Sequence, residues 1–303
     1  MEVKLKRILE NNRKYIEEGN LPSYIPELSN ANKNALGIYV STVEGEEWGA
    51  GDYMYPFTIQ SISKVITLLI ALEDNGMEIF QKVGMEPTGD AFNSMMKLEL
   101  VQPSKPFNPM INAGAIAVTS MIHGSYKEKF DRIISFFRAI TNNPKLGIND
   151  RVYLSEKSTG DKNRAMAYYM RDVGILQGDV EEDLDLYFKQ CSIEVTCKDI
   201  ARIAAFIGNK GVLKETNERL ISEEYIKIAK TFMFTCGMYN ASGEFAINVG
   251  IPSKSGVGGG IMSVVPSKMG IGVIGPSLDS KGNSIAGVKV LEELSKEFNL
   301  SIF

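Results

Sequence analysis

Residues 260–277, GIMSVVPSKMGIGVIGPS, are two apolar, β-branched-rich runs separated by a short connection, the pattern of a hairpin. Just upstream, FAINVGIPSKSG (245–256) reads as a further strand, and a Gly282-Asn283 turn region follows. At the other end of the chain, LGIYVSTV (36–43) and EEWGAGD (46–52) flank a turn at Glu44-Gly45. Strands joined by such short connections pair antiparallel. Between the two ends, residues 61–235 repeat apolar positions at helical spacing, as in FDRIISFFRAITNN (130–143) and CKDIARIAAFIGNKG (197–211). IAGVKVLEELSKEF (285–298) reads as an amphipathic C-terminal helix. The pattern predicts an α+β fold in one unit, 1–303. Its sheet subdomain is built from about 1–60 plus 236–303, and its helical subdomain from about 61–235.

Composition narrows what such a unit can do. The 303 residues are 44% hydrophobic, enough for a large core. The net charge of −4 and a pI near 5.4, without long runs of like charge, argue against a nucleic-acid partner. The N-terminal MEVKLKRILENNRKYIEEGN mixes charges with Val3, Leu5, Ile8, Leu9 and Ile16, unlike a secretory leader. The longest apolar run, Val65 to Leu72, is too short to cross a bilayer, so no membrane association is expected. Cys191, Cys197 and Cys236 have no zinc-ligand spacing and are odd in number, which points to free thiols in a reducing, cytoplasmic compartment. A single histidine, His123, leaves a serine–histidine–acid triad or a multi-histidine metal site little to stand on. Proton carriers in a hydrolase of this composition would be lysine, tyrosine or carboxylate.

Chemistry enters with FTIQSISKVITLLIALEDNG (57–76), which sets two serines and a lysine at the head of an otherwise apolar helix. Ser61 and Lys64, three residues apart, share one helix face, whereas Ser63 points elsewhere. A lysine half-buried against Val65 and Leu68 loses preference for its charged form and can take the proton of a serine nucleophile. The helix N-terminus adds free N–H groups suited to an oxyanion. Four residues alone also fit a helix N-cap and a snorkelling lysine. A second element changes the balance. PSKSGVGGGIMSVV (252–265) joins a Lys-Ser-Gly triplet to Gly258, Gly259 and Gly260, which allow close approach of another segment or a ligand. No Gly-Lys-Ser/Thr leads these glycines into a helix, so this is not a phosphate loop. Ser-x-x-Lys on a helix followed by Lys-Ser/Thr-Gly on a strand are the anchor motifs of penicillin-recognising serine enzymes, here in that order.

Six ordered stretches carry a closer resemblance: YIPEL (24–28), QSISK (60–64), NPMINAGAI (108–116), SEKSTGDKNRA (155–165), CGMYNASGEFA (236–246) and PSKSGVGGGI (252–261). MEPTGDAFNS (85–94) and Tyr187 fall between them. The chain resembles the serine-dependent glutaminases, in the compact bacterial glutaminase A form, from about residue 20 to about residue 290. That resemblance implies a β-lactamase/penicillin-binding-protein-like fold. It also implies hydrolysis of L-glutamine to L-glutamate and ammonia through a γ-glutamyl ester on Ser61. Glutamine needs a nucleophile at one end and a charge-reading clamp at the other. The implied clamp is Glu156 on the α-ammonium, with Asn112, Asn163 and Tyr24 on the α-carboxylate or amide. Lys64 is the implied base for Ser61, and Tyr239 and Tyr187 are candidates to relay a proton to ammonia. Lys254 stabilises charge or orients the Ser61–Lys64 pair, and the oxyanion lies between the N–H groups of Ser61 and Val257. No metal and no organic cofactor is implied. A homo-oligomer, tetramer or dimer, is, with the apolar face at 130–140 either its interface or core.

Two other functions remain compatible with the motifs. A penicillin-binding or β-lactam-hydrolysing enzyme shares Ser-x-x-Lys and Lys-Ser-Gly but is expected to carry an export signal. A non-catalytic amino-acid-binding or acyl-sensing module would keep the pocket without turnover, against which the intact Ser61, Lys64, Tyr239 and Lys254 argue.

Overall fold

The computed structural model describes all residues, 1–303. Seven strands form: β1 (Gly37–Thr42), β2 (Glu47–Gly51), β3 (Phe57–Thr58), β4 (Glu194–Val195), β5 (Ser253–Ser255), β6 (Gly260–Val265) and β7 (Met269–Ile274). Five of them make one antiparallel sheet in the order β2-β1-β7-β6-β5, so both ends of the chain enter the same sheet. The helices are α1 (Glu2–Asn12), α2 (Ser63–Asn75), the short α3 (Ile79–Lys82) and α4 (Met96–Leu100), α5 (Asn112–Ser120), α6 (Tyr126–Thr141), α7 (Asp150–Ser158), α8 (Asp161–Asp172), α9 (Val180–Cys191), α10 (Cys197–Gly208), α11 (Glu223–Cys236), α12 (Ser242–Asn248) and α13 (Ile285–Phe298). The expected α+β class holds. No helix is long and apolar enough to cross a membrane.

The alternation along β7 explains how helices cover both sheet faces. Ile271 and Val273 point to a core shared with Leu5, Ile8 and Leu9 of α1 and Val290, Leu291 and Leu294 of α13. Burying each such side chain contributes roughly 1.5–3 kcal/mol. The intervening Gly270 and Gly272 face α10. A Cβ added at Gly270 would lie 2.2 Å from the Ala201 carbonyl oxygen, and one at Gly272 would lie 2.3 Å from that of Cys197. The Met-Gly-Ile-Gly-Val-Ile run therefore lets a helix backbone rest directly on the strand. Although α10 falls within the interval expected to be helical subdomain, it packs on the sheet.

Two sequence expectations change. Phe245 to Gly250 were expected to continue a strand, but α12 covers most of them. In a helix Phe245 and Val249, 5% and 1% exposed, point inward while Ile247, 87% exposed, points out. A strand would have put all three on one side. Strand structure resumes only at β5. The α-helix expected to hold Ser61 starts at Ser63, after a 3₁₀ turn over Gln60–Ile62. The apolar face at 130–140 is core, with Ile133, Ile134, Phe137 and Ile140 buried.

All ten residues from Ser63 to Leu72 are buried, so α2 is an interior helix packed against α5 and α11. β3 pairs with β4 through Phe57↔Val195 and Thr58↔Glu194, and Ile59 N–H donates to the Ile193 carbonyl at 2.8 Å. This pairing pins the residues before Ser61 to the end of α9. The three free cysteines are buried. His123 is exposed after α5, its N–H bonded to Asp74 at 2.8 Å.

Candidate active site

A cleft of about 500 Å3 opens between α2, α5, α7, α8, α9 and the segment before β1. Of the residues expected at a site, Tyr24, Ser61, Asn112, Glu156, Asn163 and Tyr187 line it directly. A separate cavity of about 300 Å3, lined by Ile140, Phe206, Arg202 and Lys214 among others, contains none of them. Its two cations are engaged by Glu47 at 2.7 and 3.1 Å, which makes it structural.

Ser61 sits in the 3₁₀ turn, 6% exposed. The residue before it, Gln60, has φ 50°, a left-handed conformation that costs energy for a side chain of this size. Tyr239, in the turn after α11, has φ 54°. Its buried hydroxyl faces Ser61 closely enough for the serine to oppose the upward pKa push of burial, yet the two lack a well-formed hydrogen bond. Such loosely placed hydroxyl pairs tighten when a reacting carbonyl arrives between them. Ser63 turns away and donates to the Gln60 carbonyl at 2.7 Å.

Lys64 is 1% exposed. Its ammonium donates to Asn112 Oδ1 at 2.7 Å and to the Met110 carbonyl at 3.4 Å, rather than to Ser61. Asn112 passes the chain on, its Nδ2 donating to Asn163 Oδ1 at 3.0 Å. Burial pulls the Lys64 pKa down to about 8, against the opposing charges of Cys191 and Glu156. Glu156, on α7, is 6% exposed and its Oε2 has no partner. Burial pushes its pKa up to about 8, opposed by nearby Gln60, Lys64 and Ser192. Burial favours the neutral carboxyl, so a cation arriving at its free Oε2 would draw it into the ionised form.

Lys254 lies on β5, wholly buried, donating to the carbonyls of Ser255 at 2.7 Å and Gly237 at 3.2 Å. Its ammonium also stands 4.5 Å from the Tyr239 ring centroid. Burial and the charge of Lys64 push it well below the ordinary lysine range. Val257 follows β5, and its N–H donates to no group of the protein. The glycines beside it bring this loop against β3 and Ile59, just before Ser61. A Cβ at Gly256 would lie 2.7 Å from the Ile59 carbonyl oxygen, and one at Gly258 would lie 2.5 Å from that of Thr58.

Tyr187 and Cys191, one turn apart on α9, form a buried wall of the cleft. The Lys64 ammonium stands 6.0 Å from the Tyr187 ring. Tyr24 lies at the mouth, 49% exposed. Phe92 packs between it and Tyr239 with its ring tilted to both, centroids 6.4 and 4.7 Å away. Phe92, Gln60 and Cys191 were not singled out as site residues from sequence. Gln60 and Phe92 lie inside quoted motifs, but nothing in residue type marked them. Cys191 reads as a core thiol until β4 fixes the end of α9. No group of three or more His, Cys, Asp or Glu converges as a metal-binding set.

Comparison with known proteins gives the family. The profile of the glutaminase family matches residues 19–303. A glutaminase of Alkaliphilus metalliredigens (strain QYMF) is 69% identical over 305 aligned residues, covering 100% of both chains. The crystal structure of a Bacillus glutaminase in 4.3 M NaCl is similar with a TM-score of 0.92 and 41% identity, covering 99% of each chain. A Bacillus subtilis glutaminase, in a covalent complex with 5-oxo-L-norleucine formed by its reaction with 6-diazo-5-oxo-L-norleucine, is similar with a TM-score of 0.89 and 38% identity. That match covers 100% of this chain and 99% of that one.

Proposed function

The chain belongs to the glutaminase family and hydrolyses L-glutamine to L-glutamate, and from that premise we propose that the reaction runs through a γ-glutamyl ester on Ser61. The observation that carries this reading is the pairing, within one cleft, of a buried serine on a strained turn with a buried, unpartnered carboxylate oxygen on Glu156. Glutamine fits between them: its α-ammonium meets Glu156, its α-carboxylate meets Asn163 and the Tyr24 hydroxyl, and its side-chain amide reaches Ser61. The α+β fold, with Ser-x-x-Lys running from the 3₁₀ turn into α2 and Lys-Ser-Gly at the edge strand, is β-lactamase-like.

In the first half-reaction Lys64, as neutral amine, takes the Ser61 proton while the hydroxyl oxygen attacks the amide carbon. The oxyanion is held by the N–H groups of Ser61 and Val257. Tyr239 passes a proton to the leaving nitrogen, with Lys254 against its ring stabilising charge. Tyr187 shapes the wall and orients the amide. Water then attacks the ester, the same groups acting in reverse, and glutamate leaves. Asparagine, one methylene shorter, stops short of Ser61 when its ammonium is clamped.

We assign the buried free thiols to a reducing, cytoplasmic setting. The sheet residues (about 1–60 plus 236–303) and the helical residues (about 61–235) act as two subdomains of one catalytic unit, and the chain works as a homo-oligomer, tetramer or dimer. Exposed Ile247, Leu100 and Phe303 offer apolar contact to further copies. The mechanism is tested by treating the protein with 6-diazo-5-oxo-L-norleucine and mapping the adduct by peptide mass spectrometry. The reading expects modification at Ser61 and none in Ser61→Ala, which also loses turnover. An adduct on another residue, or substantial turnover by folded Ser61→Ala, overturns it.

A further inference from the structure

Lys64 and Glu156 are buried ionisable groups of opposite sign when charged; Glu156 lines the cleft, and Lys64 lies just behind its wall, bonded to the cleft-lining Asn112. Every direct partner of the Lys64 ammonium is a neutral carbonyl, from Asn112 and Met110. The groups that face it from the surrounding elements are Tyr187 and Cys191 on α9, Lys254 on β5 and Glu156 on α7. Burial keeps the Tyr187 hydroxyl and the Cys191 thiol protonated and neutral at ordinary pH, and Lys254 contributes no negative charge. Glu156 is thus the one carboxylate whose field retains a proton on Lys64. Glu156 itself is faced by Gln60, Ser192 and Lys64, with Tyr24, Tyr187 and Cys191 around it, and its Oε2 is bonded to none of them.

We propose that the α-ammonium of bound glutamine is a chemical switch: by pairing with Glu156 it replaces Lys64 as counter-ion and releases Lys64 as the neutral base that activates Ser61. This rests on the assignment of Glu156 as the ammonium clamp. In the empty cleft near pH 8 the Glu156 carboxylate is balanced by the Lys64 ammonium. When the substrate's ammonium arrives, the buried volume holds two cations against one anion, and the imbalance is relieved by loss of the Lys64 proton to water at the cleft wall formed by Ser61 and Asn112. The lone pair left on Nζ then accepts the Ser61 proton as the serine oxygen forms its bond to the amide carbon. Both groups sit near pKa 8, one lowered and one raised by burial, so a modest change of field moves the proton. A substrate without the ammonium leaves Lys64 charged, so the base is occupied at the moment of attack. Specificity for an α-amino acid is then exercised in kcat as well as in binding.

The experiment compares pH–rate profiles of the wild-type enzyme for glutamine and for its deamino analogue, 5-amino-5-oxopentanoic acid. The acid limb of kcat/KM reports the coupled Lys64–Glu156 pair in the free enzyme and that of kcat reports the pair in the complex. For glutamine the kcat limb is expected at least about one pH unit below the kcat/KM limb, whereas for the analogue the two coincide. In parallel, glutamine binding to Ser61→Ala, followed by calorimetry in two buffers of different ionisation enthalpy, is expected to release about one proton at pH 8, about half from Glu156 as it is clamped and about half from Lys64 as it is displaced, and analogue binding none. Coincident limbs for glutamine, or release of no more than about half a proton on glutamine binding, overturn the switch. The clamp is judged separately by Glu156→Gln: a KM for glutamine unchanged from wild type overturns the clamp and with it the switch, whereas a raised KM beside coincident wild-type limbs overturns the switch alone. Both wild-type arms stand if that variant fails to fold.

Discussion

The ammonium of Lys64 is bonded to Asn112 Oδ1 at 2.7 Å, which fastens α2 to the first residue of α5 and, through Asn112, to Asn163 on α8. A neutral acceptor at this point holds the amine in place without stabilising its charge as a carboxylate would. Asn112→Asp keeps the shape and adds a negative charge beside Lys64. The acid limb of kcat/KM is expected to move up by about 1–3 pH units. An unmoved limb would show that the group titrating there is not Lys64.

Lys64→Ala and Ser63→Ala separate catalysis from helix integrity. Lys64→Ala removes the base and is expected to lower kcat by about 10²–10⁴. Ser63→Ala loses one hydrogen bond to the Gln60 carbonyl, about 1 kcal/mol of stability, and keeps most turnover. Stopped-assay kinetics and thermal melts of both proteins decide; equal losses of turnover would point to damage of the turn rather than to a missing base.

Tyr239→Phe deletes a buried hydroxyl that faces Ser61 and has no hydrogen-bond partner. Stability should be unchanged or slightly higher, because an unsatisfied polar atom is removed. Turnover should fall by about 10²–10⁴ if the phenol relays a proton to the leaving nitrogen. Full activity in the variant would transfer that role to another group.

Gly258→Ala tests the contact between the glycine-rich loop and β3, just before Ser61. The new Cβ would lie 2.5 Å from the Thr58 carbonyl oxygen, so the loop must shift, and the neighbouring Val257 N–H shifts with it. A loss of about 1–3 kcal/mol in stability, with a larger fall in kcat than rise in KM, is the expected result. Wild-type kcat in this variant would remove Val257 from the oxyanion site.

Glu156→Gln should stabilise the empty protein while harming catalysis. The folded-state pKa of Glu156 is raised to about 8 from an ordinary 4.5, so the native state keeps a proton that the unfolded chain loses in between. Its contribution to stability is present below pH 4.5 and is lost as pH rises through 8. Lys64 acts in the opposite sense and at higher pH, its contribution being present above 10.5 and lost as pH falls through about 8. Between pH 5 and pH 8 the Tm of Glu156→Gln should therefore gain on wild type, by about 3 °C or more at the upper end. A difference in Tm that does not change with pH would mean that Glu156 is already ionised when the cleft is empty.

Much of this architecture is written locally. Period-2 alternation in MGIGVI and the Glu44-Gly45 turn define strands and hairpins because side-chain direction in a strand depends only on position parity. Ser-x-x-Lys sets two groups one turn apart because a helical turn is a local geometry. The departures have equally physical causes. Phe245, Ile247 and Val249 fit a strand or a helix in isolation, and only the exposure of Ile247 beside a buried Phe245 and Val249 selects the helix.

The sequence by itself determined which chemical groups are present, in what order, and that both chain ends feed an antiparallel sheet with helices between them. It offered Ser61, Lys64, Glu156, Tyr239 and Lys254 as candidate site residues. Which group touches which was decided by tertiary structure alone. Lys64 reaches Asn112 rather than Ser61, Lys254 reaches Tyr239, and Cys191 and Phe92 enter the cleft wall through elements far away in sequence. The reason is that a side chain's partners, its dielectric surroundings and thus its protonation depend on surfaces from α2, α5, α7, α9 and β5 arriving together, and no spacing along the chain encodes that packing.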